Sequence, residues 1–303
     1  MTIPLVYSPL YSYTFPADHR FPMDKFRYLK SYLDAIGLTT HNNVFRPGRS
    51  REEVLHMTHC SDYVQRFMHN QLSKKELRRM GLPWSEGLVR RSLVSPNGTL
   101  LTASIALSYG VACHLAGGTH HAHYDHGRGY CVLNDLAVAA NAILHKGLVQ
   151  RILIFDCDVH QGDGTASILA NEDRVFTCSI HCEKNFPHHK AESNLDVGLE
   201  RGLDDEAYLQ IVAKTLEEAL QRCQPDLVLY DAGVDVFSGD GLGFLNISES
   251  GIKRRERLVL NRLQALNIPV ATVIGGGYDR DQKALARRHA MVIEQAAAVF
   301  KAL

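Results

Sequence analysis

Four stretches of this 303-residue chain gather side chains that do chemistry. The densest is Arg151–Gly164, RILIFDCDVHQGDG, which holds Asp156, Asp158, His160 and Asp163. In an extended segment alternate side chains share a face, so Asp156, Asp158 and His160 can point the same way. Two carboxylates and an imidazole are oxygen and nitrogen ligands for a divalent metal. The second stretch, Gly117–His126 (GGTHHAHYDH), carries His120, His121, His123 and His126. Adjacent His120 and His121 are poorly placed to bind one ion together. They can form a proton-handling pair if carboxylates fix their tautomers, and Asp156 and Asp163 are candidates for that support. His123 and His126 read as surface or core decoration. The third stretch is Tyr230–Gly243, YDAGVDVFSGDGLG. Asp235 there would complete a two-Asp, one-His ligand set with Asp158 and His160, leaving positions open for water and substrate. Asp240 is an alternative further along the loop, and Asp231 reads as a loop-capping carboxylate. The fourth, Ile274–Asp279 (IGGGYD), places three glycines before Tyr278, whose hydroxyl is free to donate. No P-loop occurs and no GxGxxG follows the first long strand, so no nucleotide site is expected.

These residues need elements that bring them together. Ile152–Phe155 has the look of a strand buried on both faces. Further buried strands are expected at Val175–Ile180, Asp226–Asp231 and Pro269–Ile274, with a short one near the N-terminus. Helices are expected at Met23–Ile36, as two short pieces in Arg51–Asn70, at Thr102–Leu115, from Leu136 to Gly147, near 164–171, at Asp204–Cys223, near 249–266, and at Gln282–Leu303. Asn134 and Asp135 are good cap types for the helix they precede. The charge run in Ser73–Arg91 reads as a solvated helical face, with Trp84 as one anchoring aromatic. Residues from about 181 to 203 read as loop. Repeated βα units imply a mostly parallel sheet flanked by helices on both faces, in one domain spanning 1–303. Sites in such sheets lie beyond the C-terminal ends of the strands, where Asp158, His160, Asp235 and Tyr278 fall, while the His-rich stretch reads as a Gly-led loop between helices.

Composition narrows the function classes. Lys+Arg and Asp+Glu balance at 33 each, and the pI is ≈ 7.3, which leaves no electrostatic footprint for nucleic acid or an anionic membrane. Seven cysteines without a CxxC pair suggest a reducing compartment. The N-terminus lacks a basic region and is broken by Pro4, Pro9 and Pro16, unlike a signal peptide. No apolar run approaches the length of a membrane span. A cytoplasmic protein is expected, of open oligomeric state.

Taken together, the four stretches resemble the histone deacetylase family, with its arginase–deacetylase fold. The similarity runs from about Tyr7 to the last helix. It is carried by the His-His pair, Asp-x-Asp-x-His-x-Gly-Asp, Gly-x-Asp before Gly-Asp, and Gly-Gly-Gly-Tyr, in family order. Gln161, the Phe-Pro in the loop after His181 and the short GGGY are similar to class IV members, and GLPWSEGLVRRSLVSPNGTL to bacterial ones. The resemblance implies an amidohydrolase that removes acetyl or longer acyl groups from acylated lysine. It implies zinc on Asp158, His160 and Asp235, tandem His120 and His121 paired with Asp156 and Asp163, and Tyr278 as the transition-state tyrosine. It further implies Gly129, Tyr130 and Gly276 around the substrate. A structural potassium ion would be held by Asp156, Asp158, His160, Ser179 and main-chain carbonyls including Ile180. No counterpart is found for the acidic rim residue of many members, and Cys182–Asn194, with His188 and His189, has no assigned place. Rival readings are a deacylase of acetylated polyamines, a two-manganese ureohydrolase, and a non-catalytic acyl-lysine-binding protein.

Overall fold

The structure, a computed structural model, describes residues 3–300. Eight strands form one sheet: β1 (Leu5–Val6), β2 (Val44–Phe45), β3 (Val111–His114), β4 (Ile152–Asp156), β5 (Val175–Cys182), β6 (Leu195–Leu199), β7 (Leu227–Asp231) and β8 (Val270–Val273). Their order is β2-β1-β3-β8-β7-β4-β5-β6, and every pairing is parallel. Among the described residues ten α-helices accompany them, besides a 3-10 turn at Pro9–Tyr11: α1 (Lys25–Ala35), α2 (Glu52–His56), α3 (Ser61–Met68), α4 (Lys74–Met80), α5 (Glu86–Tyr109), α6 (Asp135–His145), α7 (Asp163–Leu169), α8 (Asp205–Cys223), α9 (Glu249–Ala265) and α10 (Gln282–Val299).

Alternation along the central strands sorts the core into two layers. Ile152, Ile154, Leu227 and Leu229 pack under α6, α7 and the second half of α5. Leu153, Phe155, Val228 and Tyr230 face the layer built from α1, α8, α9 and α10. A strand buried on both faces must be apolar at every position, which is why ILIF and LVLY carry no alternation. Each fully buried side chain of this kind contributes about 1.5–3 kcal/mol.

Two expectations need correction. Thr102–Leu115 is not one helix: α5 begins at Glu86, capped by Ser85, and ends at Tyr109, while Val111–His114 is a central strand. Gly110 separates them in a left-handed conformation (φ 78), which a residue with a side chain adopts only at a cost. The stretch from 181 to 203 is not all loop, because β5 runs on to Cys182 and β6 adds an edge strand. β6 is half-exposed and contains Gly198, so it lacks an apolar run. β2 is an edge strand that the sequence does not announce, because its two residues are too few to leave a periodic signal. Of the expected final helix, residues 301–303 lie outside the described residues.

Candidate active site and metal centre

Register sets the site. Asp156 of β4 pairs with Asp231 of β7, which pairs with Val273 of β8, so these strands end level with one another. The turns leaving them converge with the long loop after β3. Asp158, His160 and Asp235 each offer a ligand atom within 4.8 Å of the others, and all three are buried. Asp158 accepts from the Gly276 backbone N–H at 2.7 Å and from that of His160 at 2.9 Å. Asp235 accepts from the Val159 N–H at 2.9 Å through one oxygen. Its other oxygen, Oδ2, has no hydrogen-bond donor satisfying it. Nδ1 of His160 lies 3.1 Å from both Asp158 Oδ1 and Asp235 Oδ2, and one ring proton cannot serve two carboxylates.

The electrostatics describe a site in want of a cation. Burial, then the charge of Asp158, pushes the Asp235 carboxyl up to about 7. Burial pulls His160 down, but the Asp158 and Asp235 carboxylates beside its Nδ1 override this and hold it at about 10. The protonated imidazole thus stands in for positive charge between two buried carboxylates. A divalent ion fits this donor set better, satisfying the orphaned oxygen while His160 binds as neutral imidazole. Gly276 has to be glycine: a Cβ there would lie 2.2 Å from Asp235 Oδ2 and 2.5 Å from Asp158 Oδ2.

The His pair sits alongside. His120 Nδ1 is 2.7 Å from Asp156 Oδ2, His121 Nδ1 is 2.6 Å from Asp163 Oδ1, and the two Nε2 atoms are 3.1 Å apart. Only one proton fits between those nitrogens, so at most one of the two rings is charged. Burial lowers His120, but Asp156 and Asp158 override it and hold the ring well above its ordinary value. Burial, then the charge on His120, lowers His121 to about 3, leaving it neutral and a proton acceptor. Tyr278 faces the cluster from another side, its ring 6.2 Å from that of His160. Burial, then Asp158 and Asp235, keeps its hydroxyl protonated.

Above these groups opens a cavity of ≈ 490 Å³. Tyr130, Phe186, Gly129, His121, His160 and Tyr278 are among the residues that line it. Gly129 has φ 54, and a Cβ on it would lie 2.7 Å from the His121 ring. Phe186 stands edge-on to His121 at 4.8 Å between ring centres, so the loop Cys182–Asn194, which has no assigned place in the sequence motifs, shapes the pocket. Gln161 anchors that loop through Ala191, to which it donates and from which it accepts at 2.8 Å. Ser179 lies beside Asp156 in the β4–β5 register, with its hydroxyl 3.0 Å from His181 Nδ1, and Ile180 follows it buried.

Four residues play parts that the sequence does not disclose. Asp163 holds more than His121: Arg128 donates to it at 2.5 Å and His123 lies 3.3 Å away, so His123 is not decoration. Asp240 is not a ligand candidate in this geometry, because it accepts from the backbone N–H groups of Tyr278 (2.7 Å) and Leu242 (2.9 Å) and so fixes the turn that carries Tyr278. Asp231 does not cap a loop. It is fully buried with neither oxygen hydrogen-bonded, and burial followed by the charge of Asp156 holds it well above the carboxylate range.

A buried acid–base cluster at the C-terminal edge of an all-parallel sheet has the make-up of an α/β enzyme site. A histone deacetylase domain matches residues 19–296, and the chain belongs to that family. It is 50% identical to an uncharacterized protein of Picosynechococcus sp., over 99% of this chain and 100% of that one. It is 31% identical to the acetoin utilization protein AcuC of Staphylococcus aureus, over 80% of this chain and 68% of that one. Among solved structures, an HDAC homolog complexed with SAHA aligns with a TM-score of 0.82 at 25% identity, covering 99% of this chain and 89% of that one.

Proposed function

We propose that this deacetylase-family protein is a zinc-dependent amidohydrolase that removes acetyl or longer acyl groups from acylated lysine. The observation that carries the reading is the orphaned Asp235 oxygen in a buried two-carboxylate, one-imidazole set whose His160 lines a cavity. Asp158, His160 and Asp235 would hold the zinc, which when bound supplies Lewis-acid polarisation and acidifies water. His121, neutral and oriented by Asp163, accepts a proton from the attacking water and later delivers one to the leaving amine. His120, held charged by Asp156, stabilises negative charge developing beside it. Tyr278 donates a hydrogen bond to the substrate oxygen as its charge grows. Gly129, Tyr130 and Phe186 enclose the acyl-bearing chain and exclude water. Potassium is the accompanying structural ion in this reading, supported by the register of Ser179 and Ile180 beside Asp156 and by family membership. All seven cysteines are free thiols, which suits a cytoplasmic protein.

The test combines elemental analysis with turnover. The purified protein should hold one zinc and hydrolyse acyl-lysine substrates, and Asp235→Ala should lose metal and activity together while its thermal melt remains cooperative. Full zinc occupancy in that variant would remove Asp235 from the ligand set, and no turnover across an acyl-lysine panel by the zinc-loaded wild type would end the enzymatic reading.

A further inference from the structure

We propose that the mouth of the cavity selects acyl-lysine flanked by acidic groups and disfavours polycationic acylated amines. This rests on the deacylase reading and specifies its substrate class. The cavity is lined by three arginines, Arg78, Arg79 and Arg128, and by no Asp or Glu. Arg128 is neutralised by Asp163 and stacks over Phe186. Arg78 and Arg79 are different: both are exposed, and among the described residues neither has a carboxylate partner. They occupy the last turn of α4, whose only acidic residue, Glu76, is engaged by Arg66 at 2.7 Å and by its own capping box. Asp125, on the His loop, accepts a hydrogen bond from His126 at 2.7 Å and is not among the residues lining the cavity.

The two cations are held in place at the mouth. The Tyr130 N–H donates to the Met80 carbonyl at 2.8 Å, and His19 Nε2 lies 3.0 Å from the Gly81 carbonyl. The end of α4 is therefore bolted to the residue that forms the tunnel wall. Gly81 adds to this, since its left-handed turn packs against the Tyr130 ring. A cleft on the far side of Tyr278 carries Asp18 and Asp279 against Arg20 and Arg280, so it adds no opposing sign. A substrate that buries its acyl-lysine stem in the cavity leaves its flanking groups beside Arg78 and Arg79. Carboxylates there gain from both, and ammonium groups are repelled.

The experiment compares kcat/KM for acetyl-lysine peptides flanked by Asp, Ala or Lys, together with N-acetylated spermidine, at low and high ionic strength. Exposed pairs are each worth a fewfold at most, so the Asp-flanked peptide should exceed the Lys-flanked one by roughly 10-fold at low salt, and by much less at high salt. Arg78→Glu/Arg79→Glu should reverse that ratio, with a thermal melt matching wild type. A wild-type preference for Lys-flanked peptide or acetylspermidine, or a ratio unmoved by the charge reversal, overturns the proposal. Turnover of the Ala-flanked peptide tests the deacylase reading by itself: its absence defeats both claims, while its presence without charge discrimination defeats only this one.

Discussion

In the proposed mechanism the Tyr278 hydroxyl divides binding from turnover. Its backbone is fixed by Asp240 at 2.7 Å, and its ring lies 5.7 Å from Tyr130 across the pocket. The amide oxygen of a bound substrate carries little charge, and the tetrahedral species carries far more. A phenol hydrogen bond is therefore worth more in the transition state. Tyr278→Phe should lower kcat by about 100- to 1,000-fold, roughly 3–4 kcal/mol, and leave KM nearly unchanged. Steady-state kinetics alongside a thermal melt would show it, and an unchanged kcat would remove Tyr278 from the role. Residues of this kind are legible in the sequence because their types are unusual for where they stand. Consecutive histidines, alternating aspartates and a tyrosine after three glycines have few structural uses. Arg128 and His123 are not legible there, because what defines them is Asp163, 35 and 40 residues away, which only the fold brings near.

At the scale of elements, the proposed metal ligands are backed by a buried clamp in α9. Arg255 donates to the Gly233 carbonyl at 2.9 Å and to the Cys157 carbonyl at 3.2 Å, just ahead of Asp235 and Asp158 respectively. Glu256 balances its charge and accepts from the Tyr230 hydroxyl at 2.6 Å. One guanidinium thus ties the end of β4 to the end of β7. Arg255→Met leaves a buried, unpaired Glu256 and should cost about 3–5 kcal/mol. Adding Glu256→Gln removes the stranded charge, and the double variant should recover part of that stability. Its zinc affinity should nonetheless remain about 10- to 100-fold weaker, as when groups that orient ligands are removed. Metal titration of the double variant decides this: wild-type affinity would make the clamp purely structural. Nothing in ESGIKRRERLVL marks Arg255 among its charged neighbours, since its difference is burial, not type. The central strands are legible for the opposite reason. ILIF and LVLY are too apolar for any surface, whereas VACH at β3 follows a helix of similar hydrophobicity and is separated from it by Gly110 alone.

Across the whole molecule, the N-terminal helices clasp the loop that carries the catalytic candidates, and a buried histidine makes that clasp pH-sensitive. His59, between α2 and α3, donates through Nδ1 to the His123 carbonyl at 2.9 Å and accepts the Asn134 N–H through Nε2 at 2.8 Å. Tyr63 adds a hydroxyl bond to the Val132 carbonyl at 2.8 Å. Accepting at Nε2 requires the neutral ring, and burial holds His59 down at about 4 despite its backbone partners. In the unfolded chain the same ring titrates near 6.5. Between these values the unfolded state binds a proton that the folded state refuses, so stability falls as pH drops from 6.5 toward 4. One such histidine is worth about 1.4 kcal/mol per pH unit, or about 3 kcal/mol across the window. His114 and His181, each lowered to about 4 with burial as the largest cause, act in the same direction. Chemical denaturation of wild type and His59→Gln at several pH values isolates the His59 share, because the other groups cancel in the comparison. The variant should be less stable at pH 7, and its stability should fall with acid by about one proton less than wild type. Parallel profiles between pH 6.5 and 4 would show that His59 does not titrate as its burial between two backbone partners requires.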